Sequence, residues 1–439
     1  MLAACGALGL VALTGCGSTG VDDISIGSGA GWQSAFGDAR NSGTSPVTGS
    51  QHLSLSWSRP LGSTLNSPAT IDPDGQIYVT TRSNSDCVGN PGATGMIFSF
   101  QMATGRKRLC DPMGVSAISA VSAVDGLGNA YVGEDGAVYS FNNIGQPRWR
   151  TPVAGVPVSV QFTRESTVLS ISQSGQVDIL NRQTGDREVT SYQLLGEPDF
   201  LAHPDTVRPP DAQGLDDCAV GGPQCPVANV AALDRESRRF YVTVRHPGSD
   251  TAALVALHYT NRQVIQDWSA DILTGGSATS PVLSSDGKTV YAADNSGRML
   301  AVDTADGRTK WAQPLGFVPR GGISENDGLL IPGGEDSGHL MAVRDNGPSA
   351  EIIWERKDLA LRGQPVQTAG NTGYVVAPMG NALNLVTFDT DSGKTIASAP
   401  LPGAQGGSAA STSVGPRGEV VVATRLGELF AFTPDKQRQ

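Results

Sequence analysis

The stretch DTADGRTKWAQPL, residues 303–315, holds a polar turn centred on Gly307 and, four residues later, Trp311. The same turn recurs along the chain. QMATGRKRL places Gly105 in it, NNIGQPRWR places Gly145 there with Trp149 four residues on, and NRQTGDREV repeats it at Gly185. YTNRQVIQDW is a looser copy around Arg262, followed by RDNGPSAEIIW at Gly347, DTDSGKTIA at Gly393 and TPDKQ near Asp435. The steps are about 40, 40, 77, 45, 40, 46 and 42 residues. A near-constant period in the 40s is the mark of a repeat architecture.

One complete unit spans residues 277–315. SATSPVLSS reads as an alternating strand, SSDGK as a turn, TVYAADN as a second strand and NSGR as a loop. RMLAVDT is a third strand, DTADGR the turn quoted first, and TKWAQPL the fourth. Four short alternating strands joined by turn signals form one blade of a β-propeller. The second-strand motif recurs as QIYVTT, NAYVGE, STVLSIS, RFYVTV, TVYAAD, LLIPGG, GYVVAP and EVVVAT, which makes eight blades. The last lacks a fourth strand, because only QRQ follows ELFAFTPDK. LSLSWSRPL, residues 53–61, is a fourth strand with no blade before it, and its Trp57 sits where Trp149 and Trp311 sit. Pairing it with the last blade closes the ring and removes an open sheet edge. The expected fold is therefore all-β, an eight-bladed propeller over residues 32–435 closed by an N-terminal strand. The recurrent Trp is expected to pack between neighbouring blades.

Turns of the TG or DG kind followed by Trp, preceded by GWQSAFGDARNSGTSPVTG at residues 31–49, resemble the PQQ-like propeller superfamily. Within it, an exported eight-bladed lipoprotein is similar to the BamB-type propellers, which act as accessory scaffolds of outer-membrane protein assembly. That resemblance implies a non-catalytic, protein-binding role. Quinoprotein dehydrogenases share the repeats, but they carry an adjacent Cys–Cys disulfide and a calcium site fed by Glu, Asn and a catalytic Asp. No two cysteines are adjacent here, and that acidic constellation is not recognisable. The expectation is no enzyme, no cofactor and no metal.

Composition agrees with an exported scaffold. The net charge of −11 excludes the clustered Lys and Arg that nucleic-acid binding requires. MLAACGALGLVALTGC carries an apolar run from Leu2 to Leu13, too short to span a bilayer and typical of a secretion signal. Its end, Leu13-Thr14-Gly15-Cys16, resembles the lipobox of bacterial lipoproteins, so residues 1–15 are expected to be a signal peptide. Cys16 is then the lipidated residue and residues 16–31 a tether; the translation start is left open, because no Lys or Arg precedes the run. Cys87, Cys110, Cys218 and Cys225 remain, and four cysteines in an exported chain suggest two disulfides with three possible pairings. No GxSxG or HExxH motif occurs, and Asp72-Pro73-Asp74-Gly75 reads as a turn rather than a calcium loop.

The loops are unevenly distributed. Turns joining first to second and third to fourth strands are short throughout, whereas the opposite face carries TRSNSDCVGNPGATG (81–95), RHPGSDTAA (245–253) and the excursion at 194–226. Long loops on one face of a rigid scaffold are where binding usually resides. Cys87 and Cys110 both reach that face on this map, which favours Cys87–Cys110 and Cys218–Cys225. Arg320 and Arg362 fall just before the innermost strands of blades 6 and 7, one repeat apart, and are candidates for holding a carboxylate or phosphate side by side. The alternative is that they satisfy carbonyls or acids such as Glu335 and Asp336. Phe200, Leu201 and His203 in the excursion are candidate footholds for a partner. The expected function is a lipid-anchored scaffold that docks an envelope membrane-protein complex on its loop-rich face, and that faces the periplasm or cell wall as a monomeric propeller. The alternative is a carrier or sensor of an envelope sugar or glycolipid, for example a helper of mycolate transport.

Overall fold

A computed structural model describes residues 31–65, 67–81, 95–113, 122–134, 136–196, 215–335 and 338–435. Eight separate sheets follow one another along the chain, each with at least four strands. Blade 5 is typical: Val282–Leu283, Thr289–Ala293, Arg298–Asp303 and Thr309–Pro314, each antiparallel to the next. The closing strand Leu53–Pro60 pairs antiparallel with Glu428–Pro434 and completes blade 8, as the sequence requires. The second and third strands are buried almost throughout, while the fourth alternates, because only the outermost strand of each blade meets solvent on one side. Among the described residues the one helix is the short Leu215–Cys218.

The recurrent indoles lock one blade to the next. Trp57 of the closing strand reaches into blade 1 and donates Nε1–H to the Met102 carbonyl at 2.7 Å. Trp149 of blade 2 does the same to Arg182 in blade 3 at 2.9 Å, Trp268 to Thr304 at 3.0 Å, and Trp354 to Thr390 at 2.9 Å. Trp311 instead meets the Asp345 carboxylate at 2.9 Å. The repeated glycine belongs to the receiving blade. Gly105, Gly185, Gly307 and Gly393 sit at φ between +62° and +79°, and a Cβ on any of them would lie 2.6–2.7 Å from the incoming indole. Glycine is needed there twice over, for the left-handed backbone and for the close approach.

Blade 7 departs from the four-strand expectation. Its sheet has a fifth strand, Thr44–Thr48, lying parallel to the innermost strand Val366–Ala369. The stretch 31–49, which carries the family resemblance, thus supplies a strand beside the channel. Cys110 also differs from expectation: its strand runs on from Lys107–Met113, so it stands mid-strand opposite Phe98. Cys110 is disulfide-bonded, and Cys87, its expected partner, lies outside the described residues, as do Cys16 and residues 1–30. Cys218 and Cys225 are joined to each other.

The indole lock makes a coupling prediction. Trp57→Ala should cost about 3–5 kcal/mol, and Gly105→Ala about 1–2 kcal/mol from its left-handed backbone together with the clash of its methyl against the Trp57 indole. The double variant should lose less than the sum, by about 0.5 kcal/mol or more, because the added methyl no longer meets an indole. Urea unfolding of the cycle checks this, and strict additivity would deny that the two residues form one lock.

Candidate functional site

The central channel is closed by the segment before the closing strand. Trp32 exchanges two backbone hydrogen bonds with Ile71 of blade 1, each 2.8 Å, and the Gln33 carbonyl accepts from Val124 of blade 2 at 2.9 Å. Asn41 Oδ1 accepts from Gln161 of blade 3 at 3.0 Å. The Ala39 carbonyl then accepts from Leu233 of blade 4, Arg40 from Leu283 of blade 5, Ser42 from Glu325 of blade 6 and Gly43 from Gln367 of blade 7. Residues 32–43 therefore bond to seven blades, and the closing strand adds the eighth. Each contact falls near the end of an innermost strand, so the segment bars the channel on the side of the short turns.

One ion pair fixes this bar. Arg40 Nη1 lies 3.3 Å from Glu325, whose side chain is fully buried, while Arg40 keeps 30% exposure. Burial pushes the Glu325 carboxyl above its ordinary range, and the Gly328 amide and Arg40 pull it back. Asn41 completes the anchorage by donating Nδ2 to the carbonyls of Val230 and Pro281, both at 3.0 Å.

Above the bar, on the loop-rich side, a cavity of about 180 Å³ opens at the channel mouth. Phe36 forms part of its floor, Val158, Val230, Ala278 and Ala409 part of its walls, and Asp216, Ala219, Arg320, Glu335, Gln364 and Arg425 supply polar lining. The Arg425 guanidinium, from blade 8, reaches across to Glu335 of blade 6 at 2.9 Å. Arg320 is the exception among these groups. Its Nη1 is buried with no hydrogen-bond partner, and Gln364 Nε2 beside the same cavity has none either. Burial lowers the Arg320 pKa, with Glu335 opposing the shift.

Of the expected pair, Arg320 lines this cavity and Arg362 does not. Arg362 donates Nη1 to the Leu361 carbonyl at 3.1 Å and is not part of the lining. Arg425, which sequence reasoning passed over, stands at the mouth in its place. Its signal was present: it opens the second-to-third loop of blade 8, on the loop-rich face. Phe200, Leu201, His203 and Asp336 lie outside the described residues.

At about 180 Å³ the mouth cavity falls below the ~300–1,000 Å³ of usual small-molecule sites. Among the described residues no group of three or more His, Cys, Asp and Glu is placed to hold a metal. Asp72 is a turn residue whose Oδ1 accepts from the amides of Asp74 and Gln76 at 3.0 and 2.8 Å. A larger cavity, about 400 Å³, lies between blades 3 and 4 on the short-turn side, lined by Glu165, Asn181, Glu188, Tyr259 and Asn261 among others. We place the candidate site at the mouth, where the long loops and the unpartnered guanidinium coincide.

The comparisons with known proteins follow this geometry. The family model for the outer membrane protein assembly factor BamB matches residues 231–347 and 266–436. Protein Rv3035 of Mycobacterium tuberculosis is 33% identical over 428 residues, covering 96% of this chain and all of that protein. BamB from Moraxella catarrhalis superposes with a TM-score of 0.58 at 16% identity, over 87% of this chain and all of that one. The quinohemoprotein alcohol dehydrogenase of Comamonas testosteroni gives 0.60 at 15% identity, over 92% of this chain and 80% of that one. One of these two folds is an assembly factor and the other an enzyme, so the shared fold does not choose between the roles.

The channel bar carries a pH-dependent prediction. A carboxyl whose folded pKa is raised opposes folding once ionised, so the burden of Glu325 is absent below its unfolded value of about 4.3 and grows above it. Removing Arg40 leaves that buried charge without its ion pair. Arg40→Met should therefore cost about 2–3 kcal/mol at pH 7, below the ~3–5 of a fully buried pair because Arg40 is partly solvated. The loss should shrink as pH falls towards 4, and unfolding curves at both pH values would reveal a pH-independent loss if the pair has no such role.

Proposed function

The chain belongs to the PQQ-like β-propeller repeat superfamily, and we propose from that premise that it is a non-catalytic, exported scaffold docking envelope proteins on its loop-rich face. The observation that carries this reading is the make-up of that face. The channel is blind there, its mouth is small, and the exposed apolar side chains Val220, Met379 and Leu426 stand on its loops. Val220 and Leu426 directly follow the mouth-lining residues Ala219 and Arg425. Exposed apolar groups beside polar ones are the usual composition of a protein-binding patch. Leu127 and Ile144 are exposed on the short-turn face of blade 2, and Ile352 and Ile353 on the outer strand of blade 6, away from the long loops.

Location follows from the cysteines and the N-terminus. The Cys218–Cys225 disulfide supports an oxidising compartment outside the cytoplasm. Lipidation of Cys16 would hold the propeller at a membrane through residues 16–31. The 33% identity with a mycobacterial protein supports an actinobacterial envelope, where a helper of envelope-lipid export is the scaffold role that fits. Arg320 supplies the acidic contact in this reading, and the 194–226 excursion and the 81–95 loop supply shape. Arg362, bonded to the Leu361 carbonyl, contributes from behind the rim.

Capture of the protein from its own membranes in mild detergent tests the reading. A stoichiometric membrane-protein partner is expected with the wild type and with Leu127→Asp, and it should be lost with Met379→Asp and Leu426→Asp. Equal capture by all four would place docking elsewhere, and a sugar or glycolipid without a protein would make the chain a carrier. Cys16→Ser should move the protein from the membrane to the soluble fraction, whereas retention at the membrane would remove the lipid anchor from the account.

A further inference from the structure

We propose that the short-turn tip of blade 2 is a membrane foot: Leu127 and Ile144 enter the headgroup region of an anionic bilayer, and bases beside them meet its lipids. The inference rests on the exported, membrane-anchored reading above and sets which way the propeller stands.

Leu127 and Ile144 are the two most exposed large apolar side chains among the described residues, at 58% and 63%. They stand in neighbouring turns of one blade, since Ala130, after the first turn, pairs with Phe141, before the second. Both turns are built alike. Asp125 Oδ1 accepts from the amides of Leu127 and Asn129, each at 3.0 Å, and Asn142 Oδ1 from those of Ile144 and Gln146 at 3.2 and 2.8 Å. Each aliphatic thus sits just before the left-handed glycine of a closed turn, Gly128 or Gly145. Elsewhere that place is held by polar residues such as Asp74, Thr104, Asp286, Asp306 and Arg417. Asp125 is fully buried, and residues 126–129 and 142–147 include no charged side chain. Blade 1 braces the tip from the side: Gln76 donates to the Asn143 carbonyl at 3.0 Å and Tyr78 to the Gly128 carbonyl at 2.6 Å. A foot held this way needs little ordering on binding.

The course of the chain names the occupant. Gly31, the first described residue, abuts Ile71 and Asp72 of blade 1, and the Asp72 carboxylate lies against Gly128. The chain therefore leaves the propeller on the short-turn face, beside the blade 2 tip. Cys16 is fifteen residues away, at most about 50 Å of extended chain, so an anchor there brings the bilayer to this face first. Charge agrees. Blade 1 exposes Arg106, Lys107 and Arg108 in a row where its outer strand begins, and Leu109 of that strand packs against Gly145. Against them stand the exposed Asp74 and the half-buried Asp111, which leaves a local positive excess in a chain of net charge −11. Blade 3, on the far flank, exposes Glu165, Asp186 and Glu188 against Arg164, so the basic side of the foot is the side where the chain enters. Aliphatic side chains flanked by bases are the composition of an interfacial membrane contact. With this face down, the open mouth and the long loops point away from the bilayer that holds the anchor.

The test uses the Cys16→Ser chain, which carries no acyl group there, with vesicles of phosphatidylcholine alone or mixed equally with phosphatidylglycerol. A foot of two side chains binds reversibly, so this chain still fractionates as soluble. An environment-sensitive fluorophore is attached to Leu127→Cys, Ile144→Cys, Ile352→Cys or Met379→Cys. Emission should shift to the blue with mixed vesicles for Leu127→Cys and Ile144→Cys, and stay unchanged for Ile352→Cys on an outer strand and Met379→Cys on the loop-rich face. Leu127→Asp combined with Ile144→Asp should weaken binding to mixed vesicles about tenfold or more, without lowering Tm, because both side chains are exposed in the free protein. Arg106→Gln and Arg108→Gln should each weaken it about fivefold, and phosphatidylcholine alone should bind more weakly than the mixture. No blue shift at the two foot positions, an equal shift for Met379→Cys, or affinity indifferent to phosphatidylglycerol would each overturn the proposal. A lipid-free dimer that Ile144→Asp dissolves would overturn it too, by giving the patch to a second copy. The two readings fail separately: without a foot, partner capture through Met379 and Leu426 stands as before. Without a lipid on Cys16, wild type and Cys16→Ser bind vesicles alike, and the fluorophores still report the foot.

Discussion

The ring depends on one contact repeated across blade junctions, an indole laid over the turn glycine of the next blade. A propeller has no hydrophobic centre of its own, because its axis is a channel, so its core is a set of inter-blade layers. Each layer must hold neighbouring blades at a fixed angle, and a large rigid ring resting on bare backbone does so with little freedom. The indole N–H finds a carbonyl at the end of that contact, which leaves no buried donor unpaired. Blade 1 has no indole, and there Leu109 takes its place over the blade 2 turn glycine, Gly145; at two other junctions indole and glycine are both absent. Blade 3 ends in the two-residue strand Tyr192–Gln193, and the facing turn of blade 4 carries Arg262 in place of glycine. Blade 7 ends in Thr395–Pro400 without a Trp, and the blade 8 turn has Asp435. The cavity of about 400 Å³ between blades 3 and 4 is the space that a missing indole leaves.

The second constraint is the channel bar, and it turns architecture into polarity. An eight-bladed ring encloses an open axis, and this chain fills one end with residues 32–48 before spending residues 53–60 on closure. The closing strand and the bar are one continuous segment, so the parts that seal the ring also seal the channel. The short-turn end carries the bar, with a lower cavity of about 250 Å³ lined by Gly37, Asp38, Arg40 and Thr44. The loop-rich end keeps the open mouth. A molecule that reaches the axis from that end meets Phe36 and stops, which suits a receptor better than a pore.

The blade count, the closing strand and the decorated face were legible because each rests on local patterning. Gly307 and Trp311 mark a turn and a strand whatever the rest of the chain does, and eight second-strand motifs can be counted. The partner of each indole was not legible, since period alone places Trp311 four residues from Gly307 but does not say that it docks on the following blade. The course of residues 32–48 was hidden for a related reason. A segment that bonds to seven different blades uses carbonyls and small polar side chains, and it has no alternation of its own to read. Arg362 shows the limit of the same source: one repeat from Arg320 in sequence, it bonds the Leu361 carbonyl and does not line the cavity. Sequence spacing fixes the backbone position of a repeat residue and leaves its side chain to the neighbours.

Those neighbours decide what each arginine braces. Arg182 ties the blade 3 turn to Asp125 of blade 2, Arg40 ties the bar to blade 6, and Arg425 ties blade 8 to blade 6 across the mouth. Each spans two distant parts of the chain and consumes an acid. Glu335 also acts on Arg320, favouring its charged form against the cost of burial. One ion pair thus braces the rim, and its carboxylate also sets the field felt by the neighbouring Arg320 guanidinium.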